Sequence, residues 1–254
     1  MYSFKTPPFG GWPLTGWMLF ALGSMTAAVV TQTPDAVEAA RLVVRLTART
    51  SLVLFVLAFT ASSLARLLPS SPTLWLLRNR RYLGVGFAGS HLIHALALVT
   101  LASLDPALFL ALTNPAAYVT GGLAYLLIIL MTLTSFDRAA AVIGPKVWMC
   151  LHTVGAWYIW ISFALNFGKR FAMNTAYWPA MIVIALALVI RLVAAWRKPK
   201  RAPTGGTPRT ARLPARPARS PWASVPLPFP NRTGPWRKRK RIPHSEPVER
   251  KSST

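Results

Sequence analysis

Residues 82–104 read YLGVGFAGSHLIHALALVTLASL, and this stretch decides the fold. It contains no Asp, Glu, Lys or Arg. As an α-helix it would extend about 34 Å, enough to cross the ~30 Å hydrocarbon layer of a bilayer. Working outward, five further stretches are similarly apolar, with Arg66 and Arg191 the only Asp, Glu, Lys or Arg among them: 11–30, 51–68, 117–134, 147–167 and 175–196. None alternates apolar and polar residues with period two, so helices rather than a closed barrel satisfy the backbone in lipid. The sequence therefore predicts an all-α membrane protein. Residues 1–196 form a bundle of about six transmembrane helices, the first of them a membrane helix rather than a cleaved signal peptide.

Composition agrees. Apolar residues make up 53% of the 254-residue chain and charged residues only 14%, too few to coat a soluble globule of this size. The six acids are Asp35, Glu38, Asp105, Asp137, Glu246 and Glu249, and none falls inside a long apolar run. The formal net charge of +23 sits largely in the C-terminal region and in short loops. Attraction to anionic headgroups accounts for it, membrane lipid is the expected partner, and no nucleic-acid role is expected. From residue 197 onward Pro, Arg, Ser, Thr and Gly dominate, which predicts a disordered basic tail over 197–254. Cys150 is the only cysteine, so no intramolecular disulfide can form.

Loop charges set an expected orientation. Arg78, Arg80 and Arg81 precede the third helix, Arg138 and Lys146 precede the fifth, and the basic tail follows the sixth. All three fall on one side of a six-helix count, which places both termini in the cytoplasm. Lys169 and Arg170 oppose this assignment, as do Arg41, Arg45 and Arg49. The last three share one helical face, in an interfacial helix or a lead-in to helix two.

Chemistry is concentrated in three membrane histidines: His91 and His94 on helix three and His152 on helix five. An ionisable residue inside a membrane helix is a functional candidate by default. No intramembrane acid accompanies them, which argues against proton relays and hard-metal sites. Neutral imidazole is a good axial ligand for haem iron, and an apolar bundle can enclose the macrocycle. Two axial ligands must lie at equal depth. His152 lies ~9 Å beyond Lys146, His91 ~15 Å beyond Arg81 and His94 ~20 Å beyond it, which favours His91 as the partner of His152, while His94, one turn along on nearly the same face, could equally be a ligand or hydrogen-bond to a propionate.

The stretch Arg80-Arg81-Tyr82-Leu83-Gly84 followed by His94 resembles the helix-three signature of the ferric-reductase-like transmembrane domain family. It is most similar to the bacterial branch that includes the haem-binding membrane subunit of the periplasmic methionine sulfoxide reductase system. Thr134-Ser135-Phe136-Asp137, then Gly144, Trp148, Leu151 and His152, resembles the family's loop and the start of its helix five. The resemblance implies six helices in the bacterial inner membrane and haem b held by helices three and five for electron transfer. It assigns His94 and His152 as iron ligands, with His91 beside them.

One departure matters. Family members often carry a second helix-five histidine about thirteen residues on, where this chain has Leu165 and Asn166. At most one haem is then expected. No flavin or nicotinamide fingerprint is present, so electrons would come from a quinone or a soluble reductase partner. The alternative is a non-redox membrane scaffold or transporter that keeps the fold with structural histidines.

Overall fold

A computed structural model describes residues 10–197. These contain seven α-helices, six of them long and apolar enough to span a membrane, and no strand. They run α1 (Trp12–Gln32), α2 (Ala36–Leu67), α3 (Ser71–Leu104), α4 (Pro106–Leu112), α5 (Pro115–Leu133), α6 (Asp137–Met173) and α7 (Trp178–Trp196). A single 3-10 turn, Thr175–Tyr177, leads into α7. The chain is thus an all-α membrane protein, and its outer surface of Trp17, Phe20, Leu92, Leu96, Val99, Leu126 and Leu186 meets lipid. The tail expected beyond residue 197 lies outside the described residues.

The spans match the apolar runs, but several helices are longer than those runs. The arginine-bearing stretch after Asp35 is the first part of α2. Asp35 caps it by accepting from Val37 N at 3.0 Å, and Glu38 pairs with Arg41 (2.8 Å) and Arg45 (3.3 Å). Helix α3 begins eleven residues before the apolar run because Ser70 and Thr73 form a capping box. Arg78, Arg80 and Arg81 therefore lie on a helix, not in a loop. Helix α6 is two helices joined at Gly144, whose φ of 75° and ψ of 162° break the ladder just before Pro145.

In lipid there is no hydrophobic force between helices, so packing and buried hydrogen bonds hold the bundle. The closest pair is α2 against α3, running antiparallel. Ser90 sits at its centre, fully buried, within 2.8 Å of Ser51 Oγ and 3.1 Å of Thr50 Oγ1, and it donates to the Thr47 carbonyl at 3.3 Å. Helix α1 lies along α3: Gly11 N donates to Asn79 Oδ1 (2.9 Å) and Thr15 Oγ1 to the Tyr82 carbonyl (3.3 Å). A Cβ at Gly86 would meet the terminal methyl of Met18 at 2.7 Å, so a larger residue there would have to push that flexible side chain aside.

On the other side, α6 packs antiparallel to α5 and to α2, and α7 covers both α6 and α2. Tyr158 Oη donates to the Thr120 carbonyl (2.9 Å) and Trp160 Nε1 to the Ile184 carbonyl (3.2 Å). Phe55, Phe59, Phe87, Phe163 and Phe167 fill the centre with Ile128, Ile159 and Ile184.

Ser90→Val should lower unfolding free energy by about 1–2 kcal/mol, because it leaves the Ser51 hydroxyl without its partner inside the seam. Ser103→Val removes only a bond to its own exposed helix turn and should stay within ~0.5 kcal/mol. Detergent unfolding titrations of both variants measure the difference.

Candidate functional site

The three membrane histidines occupy two levels of the bundle. His91 and His94 lie one turn apart on α3 with ring centroids 5.6 Å apart. His91 packs against Phe87 (4.7 Å), Tyr125 (5.7 Å) and Phe163 (5.9 Å). Its Nδ1 is buried with no hydrogen-bond partner, and so is the Tyr125 hydroxyl. Two orphaned polar atoms on neighbouring rings mark a place built for a further hydrogen-bonding group.

His94 is held from α2. Its Nδ1 lies 2.9 Å from Thr47 Oγ1 and 3.1 Å from the Val44 carbonyl. The carbonyl can only accept, and the Thr47 hydroxyl already donates to Val43 O at 2.7 Å. The ring proton is therefore assigned to Nδ1, which leaves the Nε2 lone pair without a protein partner among the described residues. This is the arrangement of a metal-binding imidazole, whose second nitrogen donates to a backbone carbonyl and fixes ring and tautomer.

His152 is committed differently. The Thr134 hydroxyl donates to Leu130 O at 2.7 Å, so His152 Nε2 donates to Thr134 Oγ1 at 3.0 Å. The Trp148 ring stacks on it at 4.3 Å and donates its own Nε1 to the Thr134 carbonyl at 2.9 Å. Residues 134, 148 and 152 thus form a clip between the end of α5 and the start of α6's membrane segment.

Depth separates the two groups. His91 is level with Phe163, and His152 precedes Phe163 by eleven residues. That places His152 ~16 Å from His91 along α6 and further still from His94. Two axial ligands of one iron need ring nitrogens about 4 Å apart, two bonds of ~2 Å. A haem clamped between His152 and either α3 histidine therefore does not fit this arrangement. The residues of α6 level with His94 are Leu165 and Asn166, and both face outward, Leu165 being 59% exposed. Attachment through one histidine, His94, does fit its donor set. Among the described residues no three His, Cys, Asp or Glu side chains come together.

Sequence reading singled out the histidines and missed Thr47 and Tyr125, whose importance comes from other helices, and it placed Thr134 only within a loop motif. One signal was present. Thr47, Thr50 and Ser51 place three hydroxyls within two turns of one helix, and such residues bond across helices in membranes.

Thr134→Val should cost about 1–2 kcal/mol by leaving the His152 N–H unpaired, and Trp148→Phe a further ~1 kcal/mol by freeing the Thr134 carbonyl. Both are measurable by detergent unfolding. Compared with protein-family models, curated proteins and solved structures, the chain matches none.

Proposed function

We propose that the chain is a haem b-binding electron-transfer protein of the bacterial inner membrane, with both termini cytoplasmic and the iron held from α3 by His94. The observation that carries the reading is the ring of His94. Its Nδ1 proton is directed at the Val44 carbonyl and Thr47 Oγ1, and its Nε2 is left free for a metal. The resemblance of Arg80–Gly84 and His94 to the ferric-reductase-like transmembrane family supports the same residue. Bound there, the group supplies a one-electron iron couple. His91 Nδ1 and the Tyr125 hydroxyl, both buried and unpaired, offer hydrogen bonds beside it. Electrons would reach the group from a quinone or a soluble reductase partner.

A second reading has its own observation. The Thr134–His152–Trp148 clip gives His152 a purely structural role, as in a non-redox scaffold or transporter that keeps the same bundle.

Visible spectra of the purified chain separate the two. The haem reading expects a Soret band with reducible α and β bands and, because His94 would be the one histidine holding the iron, a shift on adding carbon monoxide. His94→Ala should abolish the spectrum. His152→Ala should retain it while lowering stability by about 1–2 kcal/mol. A well-folded, haem-free protein would leave the structural reading.

A further inference from the structure

The connection between α5 and α6 is tied at its base and loosely held at its crown. At the base, the Thr134 carbonyl accepts from Trp148 Nε1 (2.9 Å) and the Thr134 hydroxyl from His152 Nε2 (3.0 Å). These bonds hold the two ends of residues 134–148 together. Between the ends, none of residues 135–147 is buried. The first piece of α6, residues 137–143, stops at Gly144, whose φ of 75° favours glycine, and a Cβ there would meet nothing within 4 Å. Pro145 removes a helix N–H and keeps the residue before it out of helical geometry. Two contacts fasten this piece to the rest of the bundle. Asp137 Oδ1 accepts from Arg81 Nη1 on α3 at 2.8 Å, and the neighbouring Phe136 ring stacks on Trp12 of α1 with centroids 5.5 Å apart. Trp12 also lies 5.7 Å from the Arg81 guanidinium and edge-on to Tyr82 at 5.4 Å. Among the described residues, 137–143 make no other hydrogen bond or ion pair to another helix.

Both fastenings are shallow. The Asp137 side chain is 91% exposed, and an ion pair open to water is weak and screened by salt. Phe136 and Trp12 are exposed as well, so their stack covers only part of each ring. Holding Asp137 leaves Arg81 incompletely satisfied: its Nε is buried without a partner, a cost that offsets part of the gain. A tied base, a glycine break and a weakly held crown are the parts of a hinged strap. We propose that residues 137–143 form a strap hinged at Gly144, held closed by a salt-sensitive latch of Arg81–Asp137 and Trp12–Phe136. Released, the strap uncovers the Arg81 guanidinium and the Trp12 ring together. The Thr134 clip stays closed, so opening leaves the packing of α5 on α6 in place. The inference uses none of the residues proposed to hold haem and stands whether or not haem binds.

Double electron–electron resonance on the full chain in a neutral detergent tests the latch. With Cys150→Ser removing the native thiol, spin labels are placed at Val142→Cys on the strap and at Leu77→Cys, one turn before Arg81 on α3. Both sites are exposed, so the labels displace no core packing. At low salt the labelled parent should give a narrow distance distribution. At ~1 M salt, where the Debye length falls to ~3 Å, a longer and broader component should grow about two- to fivefold, the range an exposed ion pair can supply. Asp137→Asn should show that growth already at low salt and lose the response to salt. Phe136→Ala should enlarge the same component and keep the response. Three results each overturn the latch: a parent distribution that is broad at every salt concentration, a distribution that Asp137→Asn leaves unchanged, or an undiminished salt response in Asp137→Asn. The last would assign the effect to charges elsewhere in the chain.

Discussion

The hydroxyl of Ser90, fully buried between α2 and α3, sets the register on which the other levels depend. In lipid, two apolar helices gain little from touching, so a buried polar contact decides how far one slides along the other. Ser90 meets Ser51, Thr50 and the Thr47 carbonyl together. A slip of one turn, about 5.4 Å, would break all three contacts and carry Thr47 away from His94. The same register aligns Phe55 with Phe87, and both with Phe163 on α6. The seam between two neighbouring helices thus fixes the level of a third.

Six spans were legible because each needs only length and an apolar run with at most one charge, and both can be counted along the chain. Where helices really end was not legible. The start of α2 carries three arginines, which left an interfacial helix or a lead-in to helix two open; Glu38 pairs with two of them and the helix runs on unbroken. The extra turns of α3 depend on a side-chain exchange between Ser70 and Thr73. Short α4 has no membrane-length signature at all. The three histidines were evident as candidates, since little else in the spans is polar and ionisable.

Their relative depth was a different matter. Counting from Arg81 and from Lys146 assumed that those two residues start level. Instead His152, six residues after Lys146, is level with the Arg80 end of α3, so Lys146 lies ~9 Å further out along the helix. The physical reason is the break at Gly144. Asp137 reaches Arg81 before the break, and the membrane segment of α6 starts afresh after it, from a lower point. Charge markers order helices along a membrane normal only when each helix is continuous through its marker, and α6 is not.

What keeps the two polar levels apart is a column of rings. His91 touches Phe87 at 4.7 Å, Phe87 touches Phe55 at 5.5 Å, Phe55 stacks on Phe59 at 5.1 Å, and Phe59 meets Trp157 at 5.4 Å. Arg191 closes the column against the last two rings. Packed aromatic side chains are stiff, and truncating one to alanine costs about 3–5 kcal/mol. A rotamer change moves an imidazole nitrogen by only a few ångströms. It cannot close a gap of ~16 Å that is filled by Phe55, Phe59, Phe87 and Phe163. The separation of His152 from His91 and His94 is therefore a property of the helix register and its core, not of side-chain choice. A ligand that engages the α3 histidines meets the aromatic and hydroxyl chemistry of Tyr125 and Thr47. One that engages His152 meets Thr134 and the stacked Trp148 ring.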